Sequence, residues 1–289
     1  MQGRARAPAA GTVLNALATR RGSAFAIDAY VSATVELGDD PEVVGTVVGE
    51  PDADTALVER CVELATATYG DGEGGTVTTD SEVPLAAGLK SSSAAANATV
   101  LATLDALGLR VADGSDADVR REDAARLGVR AAREAGVTAT GAFDDASASM
   151  LGGVTVTDNA ADALLSKTSV DWDVLVWTPP ARAYTADADV ERCERVAPLA
   201  DLVLELALDG RYAAAMTVNG FAFSAALGFP TEPLLEALPE AAGVSLSGTG
   251  PSVTAIGEAA RLEAVAARWR RREGRTWLTQ TQNAGAQTR

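Results

Sequence analysis

Short β-like runs mixed with helical stretches along these 289 residues predict an α+β protein of two lobes. Two observations carry this reading. Strand and helix patterns are mixed rather than regularly alternating, and the pattern resets after Gly152-Gly153, where a new strand begins. The expected boundary lies near 150–155, giving lobes of 1–153 and 154–289. A chain of this length fits two lobes sharing an interface.

The elements follow in order. Residues 11–37 hold two β-like runs broken by Arg20-Arg21-Gly22, a hairpin or meander. A helix is expected over 53–69, with Leu57, Val58, Cys61 and Leu64 as its apolar stripe. Asp71-Gly72-Glu73-Gly74-Gly75 is a turn, and Thr76 to Val83 alternates as a strand. The loop Pro84-Leu85-Ala86-Ala87-Gly88-Leu89-Lys90-Ser91-Ser92-Ser93-Ala94 leads into a helix ending near Leu107 at Gly108. A further helix runs from about Arg120 to Ala135. In the second half, strands are expected at 154–157 and 173–178. Two or three helices follow between 187 and 240, then a strand turning through Ser247-Gly248-Thr249-Gly250-Pro251. Another strand, a helix and a terminal strand finish the chain.

Composition narrows the function. Apolar residues make up 47% of the chain but aromatics only 4%, so Ala, Val and Leu must build the core. The formal charge is −16 and there is no histidine, which excludes Ser-His-Asp and Cys-His catalysis. Lys90 and Lys167 are the two lysines; every other basic residue is Arg. An acidic, lysine-poor, alanine-rich chain fits a halophile's cytoplasm, because at about 1 M salt the Debye length falls to ~3 Å and surface carboxylates barely repel. Such a chain binds nucleic acid poorly, and the basic cluster Arg268 to Arg275 reads as a solvated helix end. Cys61 and Cys193 make no disulfide framework. No apolar run approaches the about 18 residues of a membrane span, and the first residues lack the regions of a signal peptide, so a cytoplasmic location without membrane contact is expected.

The 84–94 loop carries the sharpest signal. A strand, a Gly/Ser loop and a helix form an anion cradle, because the free N–H groups of the first helical turn and the macrodipole point at the loop. Gly88 permits close backbone approach, the three serines offer hydroxyls to phosphate or Mg²⁺, and Lys90 adds a point charge. The Walker A order is absent. A second segment, Gly141 to Gly153, sets Asp144 and Asp145 side by side in a small-residue loop, where one could be a general base and the other a metal ligand. Glu134 continues the stripe Ala124, Leu127, Ala131 and so is expected to face inward. It also sits in a helix's last turn, where the dipole disfavours an anion, so it needs a cation.

The loop resembles the Pro-x-x-x-Gly-Leu-Gly-Ser-Ser-Ala-Ala motif of the GHMP kinases. With Lys90 in the third glycine's place and a third serine, it looks most like their archaeal shikimate kinase branch. The resemblance implies an N-terminal lobe like ribosomal protein S5 and a ferredoxin-like C-terminal lobe. It also implies ATP and Mg²⁺ as cofactors, and shikimate as the small-molecule substrate, phosphorylated to 3-phosphoshikimate. It makes Pro84 to Ala94 the ATP phosphate loop, supported by Gly248 and Gly250. Ser92 and Glu134 become Mg²⁺ ligands, Glu134 standing eleven residues before a catalytic Asp145. Lys90 stabilises the transferring phosphoryl group. Arg21 or Arg182 is the expected partner of the substrate carboxylate. One departure stands out: the Lys that several of these kinases carry near the first strand is missing from Arg6-Ala7-Pro8-Ala9-Ala10-Gly11, and Asn15 stands where others place an acid or His.

Overall fold

The computed structural model describes residues 1–138, 141–181, 183 and 188–289. The chain opens on a long antiparallel hairpin, β1 (Gln2–Leu14) and β2 (Arg21–Gly38), turned by Arg20 at φ +58°. β3 (Val43–Val47), α1 (Ala56–Tyr69) and β4 (Gly74–Ser81) follow. After the 84–90 loop come α2 (Ser91–Ala106), the short strands β5 (Val111–Ala112) and β6 (Val119–Arg120), α3 (Arg121–Glu134) and α4 (Phe143–Leu151). The hairpin β7 (Val154–Asp158) and β8 (Ala163–Thr168) leads to β9 (Asp173–Thr178). Next are α5 (Val190–Glu194), α6 (Ala197–Leu208), α7 (Tyr212–Leu227) and α8 (Glu232–Ala237). β10 (Gly243–Leu246), β11 (Val253–Gly257), α9 (Ala259–Trp269), β12 (Arg275–Gln280) and β13 (Gln287–Thr288) complete the order.

Two sheets organise these elements. The first runs β13-β1-β2-β4-β3, with β7 also on β2 and β8 on β7. β2 is long enough to serve two neighbours: Val31 to Gly38 pair with β4, and Arg21 to Phe25 pair with β7. The second sheet is antiparallel, in the order β10-β11-β9-β12. The expected boundary at 153 therefore falls inside the first sheet, which keeps β7 and β8 and recovers β13 from the far end of the chain. Gly152 and Gly153 mark a close approach instead. Both have positive φ, and a Cβ would lie 2.5 Å from Asn283 on the first and 2.4 Å from the Thr168 carbonyl on the second.

Small residues set the packing. α2 has 12 buried residues among its 16, the signature of a helix enclosed on nearly all sides. Alanine lets its neighbours come close: a Cβ on Gly3 of β1 would sit 2.0 Å from the Ala102 carbonyl oxygen. Asn97, fully buried in this helix, donates from Nδ2 to the Ala146 carbonyl at 2.9 Å and ties α2 to α4. Apolar residues of α1, α2, α3 and α4 cover one face of the first sheet, while Phe25, Ile27 and Val154 meet Met216 and Phe223 of α7 in a second core. Trp269 is fully buried against Trp177 and Leu234 in a third core on the outer side of the second sheet. Its indole N–H donates to the Pro233 carbonyl at 3.1 Å.

The −16 charge sits on a surface laced with Arg–carboxylate pairs such as Arg126–Glu122 and Arg272–Glu236. Pairs of this exposed kind contribute little each, and the excess carboxylates repel at low salt. Raising KCl from about 0.1 M to about 2 M shortens the Debye length several-fold and is expected to raise Tm. A Tm that does not move across that range would remove the halophilic reading of the composition.

Candidate active site

The phosphate loop, the turn after β10 and the start of α4 meet at one point. Gly88, at φ +80°, lies directly on that turn: a Cβ would be 2.2 Å from the Ser247 carbonyl oxygen and 2.8 Å from that of Gly250. Ser247 Oγ donates to the Gly88 carbonyl at 2.8 Å, and the Ser252 N–H donates to the Ala87 carbonyl at 3.2 Å. From the first hairpin, Ala10 N–H donates to the Leu89 carbonyl at 3.1 Å. The turn is held in the same way. Gly248 N–H donates to Thr12 Oγ1 at 2.7 Å, and buried Asn15 donates from Nδ2 to the Gly248 carbonyl at 2.8 Å. Asn219 of α7 accepts the Asn15 N–H at 2.8 Å. Asn15 is thus a strut between the hairpin and the glycine turn.

Gly88 therefore matters for loop-to-turn contact as well as for room near a phosphate. Gly88→Ala combines a clash with backbone oxygens and a positive φ. We expect it to weaken ATP binding at least tenfold or so, measured by nucleotide titration at matched Tm. Unchanged affinity would show that the loop tolerates a side chain there.

Helix α2 begins at Ser91, so the loop proper is 84–90 and the serines form the first turn, where N–H groups have no partner inside the helix. Ser91 is buried, Ser93 half-buried and Ser92 exposed. The N-cap is Lys90 rather than a serine. It sits at φ +63° with no side-chain cap, and its side chain is only 7% exposed. Its Nζ lies 2.6 Å from Asp145 Oδ1. Near this ammonium a Cβ on Gly248 would come within 3.3 Å. Lys90, expected on the transferring phosphate, here bridges the phosphate loop and the carboxylate.

The segment 143–151, which the sequence pattern presents as a loop, is the helix α4. Its Ala, Ser, Met and Leu residues carry no Pro or internal Gly, and glycines stand just outside both ends. Adjacent helical positions point about 100° apart, so Asp144 and Asp145 reach different partners, although their carboxyls stay close enough to interact. Asp145 turns to Lys90, while Asp144 is 4% exposed and faces Asn159. The N-cap of α4, Ala142, also has a left-handed backbone, φ +52°. Two non-glycine left-handed caps flank the Lys90–Asp145 pair, each costing on the order of 1 kcal/mol. Burial first, then the neighbouring Asp144 charge, pushes the Asp145 carboxyl up to about 7; Lys90 opposes both.

Glu134 does not join this group. It is exposed, whereas Ala124, Leu127 and Ala131 of the same helix are buried. Its carboxylate pairs with Arg60 at 2.6 Å and Arg130 at 2.8 Å, and these arginines, Arg130 foremost, hold its pKa below the usual carboxylate range. The cation expected for a carboxylate in a helix's last turn is thus arginine, and the inward stripe stops one position short. Arg21 pairs with Asp158 at 3.0 Å. Arg182 lies outside the described residues.

Among the described residues no three His, Cys, Asp or Glu side chains cluster as a metal site. The Ser92 and Ser93 hydroxyls, in the first turn of α2, are oxygen donors of the kind that would hold a Mg²⁺. Residues that the sequence pattern does not flag also build the site: Thr12, Asn219, Thr157 and Asn159. For Thr12, Thr157 and Asn219 the one visible signal is a polar side chain at a buried position of a strand or helix, while Asn159 lies in the turn after β7.

The 84–90 loop, closed by the glycine turn and edged by the Lys90–Asp145 pair, has the geometry of an anion cradle. The family profile described as "GHMP kinases N terminal domain" matches residues 56–153. The fold is similar to that of homoserine kinase from Cytophaga hutchinsonii (TM-score 0.75, 16% identity, 100% of this chain and 97% of that one). It is equally similar to that of the Methanococcus jannaschii mevalonate kinase (TM-score 0.76, 14% identity, 97% and 98%). In sequence, the chain is 64% identical to a shikimate kinase of Halobacterium salinarum over 289 residues, 100% of both chains. It is 47% identical to one from Methanosarcina mazei, covering 99% of this chain and 96% of that protein. The chain belongs to the shikimate kinases of the GHMP kinase family. No helix among the described residues is long and apolar enough to cross a membrane.

Proposed function

We propose that this chain transfers the γ-phosphoryl group of ATP to the 3-hydroxyl of shikimate. Full-length 64% identity to a shikimate kinase carries the substrate reading. The acceptor oxygen attacks the γ-phosphorus, the bond to the β,γ-bridging oxygen breaks, and ADP leaves. The acceptor proton passes to Asp145. Such a transfer depends on positioning and on neutralising charge. The first turn of α2 directs free N–H groups at the phosphates, and Lys90 adds a positive charge between them and Asp145. Ser92 or Ser93 would hold a Mg²⁺ there, and the ion would supply neutralisation of phosphate charge.

Asp145 is suited to accept a proton. It stands in the first turn of a helix, where the dipole favours its anion, yet burial and Asp144 raise its proton affinity towards neutrality. The Lys90–Asp145 contact also answers the missing lysine of the first strand: the cation comes from the phosphate loop instead. An arginine is still needed for the shikimate carboxylate. Arg21 is a candidate, half exposed on Asp158 and next to Gly22, which packs on Asp144; Arg182 is the other.

The test is ADP release by purified protein in molar KCl with shikimate, homoserine and mevalonate as separate acceptors. Release with shikimate alone is expected. Release with another acceptor in preference would replace the substrate, and nucleotide binding without turnover on any acceptor would make the chain a silent relative.

A further inference from the structure

Asp144 is a buried carboxylate that the transfer itself does not use. Its surroundings are specific. The Asp144 N–H donates to Asn159 Oδ1 at 3.0 Å, and Asn159 Nδ2 donates back to Asp144 Oδ1 at 2.6 Å. Thr157 Oγ1 donates to the same Asn159 oxygen at 2.8 Å. Two donors on Oδ1 fix the amide's orientation, so its NH₂ must face the carboxylate. Asn159 is 1% exposed, and its N–H donates to the Arg20 carbonyl at 2.8 Å. On the other side Gly22 supplies the space: a Cβ there would lie 2.5 Å from Asp144 Cγ and Oδ2.

Among the described residues the cations around α4 are committed elsewhere, Arg121 of α3 to the carbonyls of Met150, Ala284 and Ala286. From α3, Arg126 pairs with Glu122 and Asp123, and Arg133 with Asp162. From β2, Arg21 pairs with Asp158 of β7. From the phosphate loop, Lys90 pairs with Asp145. One ammonium thus faces two adjacent carboxyls, and Asp144 is held by a neutral amide.

We propose that Asp144 is a positioning residue for phosphoryl transfer: clamped by Asn159 and Thr157 in the seat that Gly22 leaves open, it holds a second carboxyl beside Asp145 and so governs how Asp145 exchanges its proton. This rests on the kinase reading above. The neutral clamp is the essential part. An arginine in place of Asn159 would cancel the charge, whereas an amide satisfies the carboxylate's lone pair and leaves its field on Asp145. The space at Gly22 keeps that carboxylate in its seat.

The experiment follows Asp145 by ¹³C-carboxyl NMR titration, assigned by its loss in Asp145→Asn, together with the pH profile of kcat/KM for shikimate. In Asp144→Asn the like charge disappears, so the Asp145 pKa and the acid limb are expected to fall together by about one unit. Gly22→Ala, which displaces Asp144 from the opposite side, is expected to lower kcat more than it alters KM. An Asp145 titration and acid limb that stay in place in an Asp144→Asn protein of wild-type Tm would overturn the proposal. If that variant does not fold, Thr157→Val and Thr157→Ser decide by the same two readouts. The valine is expected to shift both and the serine to restore both; equal behaviour of the two overturns the proposal. The NMR titration needs no substrate. A shift there in a protein inactive on shikimate would support the clamp and remove the substrate reading.

Discussion

Asp145→Asn is expected to lower kcat by roughly 10²–10⁴-fold, the usual contribution of a positioned base. The amide matches the carboxylate in shape, so α4 and its contacts persist. What disappears is the capacity to take the acceptor's proton and the negative charge that holds Lys90 at 2.6 Å. On the proposed reading ATP is held by the 84–90 loop and the turn at 247–250, so its binding should change little. Coupled ADP release at saturating ATP and shikimate, with nucleotide affinity measured alongside, separates the two. Turnover within about tenfold of wild type would mean that Asp145 does no more than orient the hydroxyl.

The second large effect belongs to Lys90→Met. Methionine keeps the length and apolar stem of a side chain that is 7% exposed, so packing is largely retained. Removing one charge directed at the transition state typically costs 10²–10³-fold in kcat, and that much is expected here. A second effect has a definite sign. Lys90 lowers the Asp145 pKa, against burial and Asp144, which hold it at about 7. Without the ammonium the carboxyl binds its proton more tightly. The reactive form is the anion, so the acid limb must move to higher pH and the loss must be greater at about pH 6 than at about pH 8. A loss equal at both pH values would confine Lys90 to the phosphates.

Much of this site is legible in the amino-acid sequence. Lys90 stands out because the chain otherwise avoids lysine, and the Gly/Ser loop ahead of an alanine helix is a local signal that tertiary contacts do not override. β9 runs over the same residues, 173–178, that the sequence pattern indicates. What is illegible depends on partners far away in the chain. Nine residues of α4 are too few for a helical period to stand out, so two acids of different orientation read as one cluster. Glu134 continues an apolar stripe by its spacing, but the last turn of α3 lies beside Arg60 of α1, and that arginine draws the carboxylate outward. The roles of Asn15 and Asn159 rest on hydrogen bonds to residues brought alongside by the sheet and the glycine turn, and a linear pattern carries no trace of them.

The return of β13 to the first sheet has a consequence for how the molecule is made. Ala5 pairs with Thr288, and Arg6 with Gln287, across almost the whole chain. Arg121 adds to this closure by donating to the carbonyls of Met150, Ala284 and Ala286. Closing so long a loop has an entropic cost that rises only slowly with length, but it delays folding, because those contacts form only once both ends are present. During synthesis the edge of β1 at Ala5 and Arg6 stays open until residues 287 and 288 emerge, and an open edge invites pairing with other chains. The proposed nucleotide cradle likewise joins residues near positions 12, 88 and 248, so on that reading nucleotide binding reports a completed fold rather than a finished half.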